Sequence, residues 1–372
     1  MNILHLNTNY EVSSIYPNML YEINKLNNVS GRLYYPVSSK KIIKDKNASY
    51  VDVSNCLNKS DRLFYFRRNK KLYENITKIY NMKQYDMTLA YSLFSNGYLA
   101  FTLKKKFDIP YIVIVQNTDI NMYFKRMVHL RNIGRKIIQE AHKVIFISEP
   151  YKQMLLNGFI MSDSREQVEK KSVVIPFGID NFWFENKNDK RRSRAQDKVR
   201  LLYVGKINKN KNIVSSAKAC DFLIKHGNEV SLTIVGDIQD KRVAKELERY
   251  KFINYIPFIQ PKELLRVYRK NDIFIMPSIK ESFGLVYAEA MSQGLPIIYT
   301  RGQGFDKHFT EGNVGHSVYP TNIAEIANRI ISIRDNYELY SENCLKLVEK
   351  FKWTNITKNY EVLFEELSGS LS

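Results

Sequence analysis

Residues 272–299, DIFIMPSIKESFGLVYAEAMSQGLPIIY, decide the fold. The run from Asp272 to Met276 is short, apolar and partly β-branched, which predicts a buried strand ended by Pro277 and Ser278. Phe283 to Met291 carry apolar residues at helical spacing. Gly294 stands where a C′ glycine would, and Pro296 stops any continuation. Ile297 to Tyr299 reads as the next strand. Strand, acidic loop, helix, strand is the repeating unit of a parallel sheet, and ligands of such sheets bind beyond the carboxyl ends of the strands. Glu281 lies in that loop and Glu289 about two turns inside the helix. The backbone amides of Gly284 and Leu285 sit near the helix start, where a phosphate can rest on them. With two carboxylates to take hydroxyl protons, the arrangement suits a polyhydroxylated, phosphorylated ligand.

The same alternation extends in both directions. Ile3–Leu6, Tyr85–Leu89, Tyr111–Val115, Val144–Ile147 and Val173–Ile175 read as strands in the first half. Pro17–Leu26, Asn96–Phe107 and Ile133–Ala141 read as helices between them. Residues 185–198, ENKNDKRRSRAQDK, are charged, lack apolar periodicity and read as a linker. The pattern then restarts: strands at Leu201–Val204, Ser231–Val235 and Ile253–Ile256, helices at Ile213–His226 and Glu263–Lys270. An amphipathic helix at 351–367 closes the chain. Alternating strands and helices predict an α/β protein with two mostly parallel sheets, each covered by helices on both faces.

A chain of 372 residues is long enough for two such domains, and its 44% hydrophobic content is that of a globular protein. No apolar run approaches the ~18 residues a membrane span needs. The N-terminal MNILHLN lacks a basic leader and reads as a first strand instead of a signal peptide. Cys56, Cys220 and Cys344 match no metal or redox spacing and are expected as ordinary thiols of a reduced cytosol. The net charge is +19, with basic clusters at Arg67-Arg68, Lys70-Lys71, Lys104–Lys106 and Lys190–Arg194. No nucleic-acid-binding motif accompanies them, so nucleic acid is not an expected partner. Peripheral contact with an anionic membrane is one reading of the charge. A compositional bias toward Lys, Asn, Ile and Tyr is the other.

Gly205-Lys206-Ile-Asn-Lys-Asn-Lys211 follows the first strand of the second half. It is glycine-poor and is not a Walker loop. Lys206 and Lys211 at a strand's carboxyl end can converge on one anionic group, and a solvated basic turn is the alternative. No Asp-x-Asp pair occurs, so a metal held that way is not expected, and leaving-group charge would fall to lysines and helix amides. Neither a G-x-S-x-G elbow nor an H-E-x-x-H helix is present, and the six histidines show no ligand spacing.

The assembled pattern resembles the retaining family-4 glycosyltransferases of the GT-B fold (glycosyl transferases group 1). The resemblance covers most of the chain and is strongest from 173 to 320. It rests on VVIPFGID (173–180), LLYVGKINKNKN (201–212), LTIVGD (232–237) and the tail FKW…YEVLFEEL. Its most specific element is the E-x7-E pair of Glu281 and Glu289 followed by A-M-x-x-G-x-P. The resemblance implies two Rossmann-like domains facing a cleft. Residues 1–182 would bind the acceptor, residues 198–351 the nucleotide-sugar donor, and a C-terminal helix at 352–372 would return to the first domain. It implies transfer of a sugar, with retention, from a nucleoside diphosphate sugar (UDP being the commonest) to an acceptor hydroxyl, without metal or other cofactor. A glycan or lipid-linked acceptor in bacterial surface glycan, capsule or exopolysaccharide synthesis is expected, with a cytoplasmic enzyme at the inner face of the membrane.

By position, Lys211 matches the lysine that grips the diphosphate, and Lys206 stands where the family usually has arginine. Glu281 would contact the sugar or its phosphate, and Glu289 the ribose hydroxyls. Gly205, Ser282, Phe283, Gly284 and Leu285 would line the donor phosphate or sugar, and Pro257 and Phe258 the nucleobase. The first half departs from the family: the loop Asn7–Ser14 has no glycine, and Gln116 occupies the place of a frequent histidine. Gln116, Asn117 and Asp119 are the acceptor-side candidates. Asp119 either binds the acceptor or caps the next helix, and Tyr10 and Glu11 either face the acceptor or form a surface turn. A non-catalytic glycosyltransferase-like subunit that stabilises an active partner is the alternative function.

Overall fold

The computed structural model describes residues 1–38, 48–188 and 198–371. The chain divides into two compact units, Met1–Gly178 with Trp353–Ser372, and Ile179–Lys352. Residues 179–182, read from the sequence as part of the first domain, group with the second unit. Most of the expected linker, 189–197, and with it the Lys190–Arg194 cluster, lies outside the described residues.

Among the described residues, the first unit is built on seven parallel strands: β1 (Asn2–Leu6), β2 (Ser30–Pro36), β3 (Val51–Ser54), β4 (Met87–Ala90), β5 (Tyr111–Val115), β6 (Lys143–Phe146) and β7 (Ser172–Val174). Their order in the sheet is β3-β2-β1-β4-β5-β6-β7. The YIVIV of β5 is buried along its whole length, as expected of a central parallel strand with helices on both faces. The C-terminal helix Trp353–Leu371 belongs to this unit and packs against the helix Ile15–Ile23. It buries Trp353, Ile356, Tyr360, Leu363, Phe364 and Leu367. Gly178 makes that fit possible, because a Cβ there would lie 2.6 Å from the Trp353 ring.

The described residues of the second unit form six parallel strands: β8 (Lys198–Val204), β9 (Glu229–Val235), β10 (Ile253–Ile256), β11 (Ile273–Ile275), β12 (Ile297–Thr300) and β13 (Gly315–Val318), ordered β10-β9-β8-β11-β12-β13. In both sheets the chain builds outward from a central strand, then returns to that strand's other side. The reversals fall between β1 and β4 and between β8 and β11. Loops leaving the two strands at such a reversal diverge and leave a crevice at the carboxyl edge.

Three strands went unread in the sequence. β2 and β3 are interrupted by Gly31, Arg32 and Asp52, and Arg32 pairs with Asp52 across the two strands. β13 is GHSV, with no apolar alternation. Its His316 accepts a place in the sheet because Glu311 and the Tyr340 hydroxyl meet its ring nitrogens at 3.1 and 2.9 Å. These strands form from hydrogen bonds to distant partners, which local periodicity does not report.

Candidate active site

Because all strands of the second sheet run parallel, the loops after β8, β10, β11 and β12 emerge along one edge. The loops after β8 and β11 are laced together. The Ile279 amide donates to the Asn210 carbonyl at 2.7 Å, and the Asn210 side chain donates back to the Lys280 carbonyl at 2.9 Å. Asn212, left-handed at φ 53°, donates to the carbonyls of Pro277 and Pro320 at 2.9 and 2.6 Å. An asparagine tolerates that conformation better than most residues, which explains its place at the start of the helix Ile213–Lys225.

This lacing sets Lys211 against Glu281, Nζ to Oε2 2.6 Å. The Ser278 hydroxyl reaches the same carboxylate oxygen at 3.2 Å, and the Ser282 amide reaches Oε1 at 3.1 Å. The loop's own backbone is pinned by Gln303 and Gly304, which bond the Glu281 amide and carbonyl at 3.0 and 3.1 Å. Gly304 was not read as a site residue, yet a Cβ there would stand 1.9 Å from the Ser282 carbonyl oxygen. Glu281 is buried and Lys211 partly exposed. A pair so enclosed adds little net stability, but it fixes the ammonium in place at the sheet edge. Lys206 is exposed, and its carbonyl accepts the Tyr203 hydroxyl at 2.9 Å.

The helix Leu285–Ser292 begins at Gly284, whose φ of 80° is a left-handed conformation open to glycine, and no side chain caps it. Its first amides therefore face the loop that carries Ser282, which is exposed. Phe283 is turned inward, packed against the rings of His308, Phe351 and Phe305 at 5.3, 5.5 and 6.2 Å. Only its backbone is placed for a ligand. Pro257 and Phe258 follow the edge strand β10 and are exposed, Phe258 by 61%.

Glu289 is enclosed in the same unit. The Tyr268 hydroxyl donates to Oε2 at 3.2 Å, and the Trp183 indole donates as well. Burial pushes the carboxyl up to about 7, against the pull of those two donors, with Asp180 adding a smaller push in the same direction. Tyr268 and Trp183 pack edge to face, centroids 5.5 Å apart. The sequence reading missed both. Tyr268 belongs to an amphipathic helix, Pro261–Lys270, and Trp183 is one of two tryptophans in the chain.

In the first unit the acceptor-side candidates cluster beyond β5; Asp119 turns inward, and Gln116 and Asn117 are half-buried. Asp119 is buried and accepts the backbone amides of Leu93, Phe94 and Gln116 at 3.0, 3.1 and 2.9 Å. Burial raises its carboxyl to about 6 against those three bonds. These bonds tie the loop after β4 to the loop after β5. Gln116 donates to the Tyr91 carbonyl and to the Tyr16 hydroxyl, the latter at 3.0 Å. Asn117 donates to the Tyr151 hydroxyl and accepts from Asn121 at 2.8 Å. Tyr10 is buried, and Glu11 accepts the Tyr35 hydroxyl at 3.2 Å.

Residues 184–349 match the family model described as Glycosyl transferases group 1. The alpha-monoglucosyldiacylglycerol synthase of Streptococcus pneumoniae is 26% identical over 330 residues, covering 80% of this chain and 73% of that protein. Sucrose-phosphate synthase from Thermosynechococcus elongatus superposes with a TM-score of 0.77 at 17% identity, over 100% of both chains. HepE of Anabaena, solved in complex with UDP and glucose, gives 0.68 at 16% identity over 98% of this chain and 100% of that one. The two doubly wound sheets are the GT-B fold, and residues 184–349 relate this chain to the group 1 glycosyltransferases.

Proposed function

We propose that this protein is a retaining, metal-independent glycosyltransferase that moves a sugar from a UDP-sugar to an acceptor hydroxyl in bacterial surface-glycan, capsule or exopolysaccharide synthesis. The observation that carries the reading is the Lys211–Glu281 pair at the β8/β11 reversal, beside the uncapped start of the helix Leu285–Ser292. A cation and a helix N-terminus at one edge favour a diphosphate. Glu289, further along the helix, accepts ribose hydroxyls, and exposed Phe258 offers a face to the base.

In this reaction the bond from the anomeric carbon to the diphosphate oxygen breaks, and a bond to the acceptor oxygen forms on the same face. The acceptor's proton passes to the departing diphosphate. No protein nucleophile is required. Lys211 and Lys206 neutralise charge that grows on the leaving group, and positioning supplies the rest. Among the described residues no helix is long and apolar enough to cross a membrane, so contact at the cytoplasmic face would be peripheral.

The test is release of UDP from UDP-glucose by the purified chain. Lys211→Ala should lower turnover by roughly 100-fold or more, the usual effect of losing one charge-stabilising donor. The melting temperature should fall as well, by roughly 6–20 °C, because buried Glu281 loses its counter-ion, so turnover is compared at a temperature where both proteins are folded. Near-normal turnover in the variant would remove Lys211 from the mechanism. A silent wild-type chain would favour the stabilising-subunit alternative, which the internal engagement of Gln116 keeps in play.

A further inference from the structure

A cavity of about 700 Å³ opens at the carboxyl edge of the first sheet, beside the reversal between β1 and β4. Thr8 and Asn9 beyond β1 and Ser95 beyond β4 form part of its wall, so it lies where a parallel sheet places its ligand. Arg68, on the helix Tyr65–Ile79, also lines it. This guanidinium is half-buried, and burial lowers its pKa from the usual arginine value. Its Nη1 donates to the Ser95 carbonyl at 3.4 Å, a weak contact. Among the described residues no carboxylate forms an ion pair with it.

The carboxylate on the same wall, Asp61, is committed elsewhere. Lys71 Nζ holds both of its oxygens at 2.8 and 2.9 Å, the Asn58 amide donates at 2.7 Å, and Arg67 stands at 3.6 Å. By contrast, Arg200 in the second unit meets Asp272 through two bonds of 2.9 and 2.8 Å. A half-buried cation without a counter-ion is less favourable than one a ligand anion can pair with. Arg62 and His129 line the same cavity and are exposed, adding donors that an anion with several oxygens can use.

We propose that this cavity is an anion subsite in which Arg68, assisted by Arg62, holds a phosphate group of the acceptor. The planar guanidinium fork matches two phosphate oxygens at once. This rests on the glycosyltransferase reading for the word acceptor, but the subsite itself does not depend on Lys211 or Glu289. Apolar side chains also stand in its wall: Leu63 is 81% exposed, and Val12 and Met122 are exposed as well. Phosphate chemistry beside such a wall is offered by a soluble phosphate ester and by an anionic lipid headgroup alike.

The experiment separates the two sources. The intact chain is titrated calorimetrically with sn-glycerol 3-phosphate, and is co-sedimented with phosphatidylglycerol vesicles against phosphatidylcholine controls. UDP is titrated into the same samples. At least one phosphate probe should bind, and Arg68→Gln should weaken it roughly tenfold or more, as expected for a charged hydrogen bond. UDP affinity should stay unchanged. Binding of the soluble ester identifies a phosphorylated small acceptor, and binding of the anionic vesicles alone identifies a lipid headgroup. Arg62→Gln, at an exposed position that leaves the fold intact, should weaken the same probe by roughly threefold. The proposal falls if neither probe binds, or if both variants bind as the wild type does. Loss of UDP binding in the wild type, with phosphate binding intact, would bring down the donor reading and leave the subsite standing.

Discussion

Burial pushes the Glu289 carboxyl up from 4.5 to about 7, against the hydrogen bonds from Tyr268 and Trp183. The proposed ribose contact is stronger to the ionised carboxylate than to the neutral acid, because a charged acceptor makes the shorter and stronger hydrogen bond. UDP affinity should tighten as pH rises and level off above about 7, weakening by at most about tenfold per unit below it. Calorimetric titration between pH 5.5 and 8.5 checks this, with Glu289→Gln giving a flat profile; a pH-independent wild type would refute the ribose contact. The stability effect has the opposite sign. A raised carboxyl binds its proton more tightly in the folded state, so its contribution is complete below about 4.5 and is lost as pH rises through about 7. Asp119 is a second raised carboxyl, but its three backbone donors show a residue that positions loops. The two acids differ in setting: side chains of Tyr268 and Trp183 meet Glu289, and main-chain amides meet Asp119.

The C-terminal helix Trp353–Leu371 shows how an element far along the chain completes the first unit. Its buried stripe of Trp353, Ile356, Tyr360, Leu363, Phe364 and Leu367 has no place to go in water. Deleting 353–372 should expose the matching face beside the helix Ile15–Ile23, lower the melting temperature by 10 °C or more by order-of-magnitude estimate, and raise binding of a hydrophobic dye. UDP binding, which the donor reading assigns to the second unit, should survive at low temperature. An unchanged melting temperature would show that the helix contributes little. The same scale accounts for part of the basic surface. Lys104 and Lys105 sit in the last turn of the helix Gly97–Phe107, where the helix dipole favours cations, and pair with Asp108 and Glu140 at 2.5 and 2.8 Å.

For the whole molecule, the donor reading predicts where ligand binding is felt. UDP at about 100 times its Kd should stabilise by about 2.7 kcal/mol. That corresponds to a rise of about 5–10 °C for a unit of this size. Hydrogen exchange should slow in residues 205–212 and 278–286, and protection confined to the first unit would contradict the assignment. The sequence by itself determined the alternation of strands and helices, the duplicated α/β plan, and the candidates Lys211, Glu281 and Glu289. Each is a matter of short-range pattern: apolar period, proline and glycine punctuation, and the spacing E-x7-E. Only the tertiary structure decided what these side chains meet. Lys211 and Glu281 are separated by 70 positions, and they touch because β8 and β11 become neighbours in the sheet. The polar strands β2, β3 and β13, the Tyr268 and Trp183 enclosure of Glu289, the inward turn of Asp119 and the unpaired setting of Arg68 all depend on contacts between distant segments. Burial and partner, which set charge state and chemical role, are properties of packing, and no local pattern carries them.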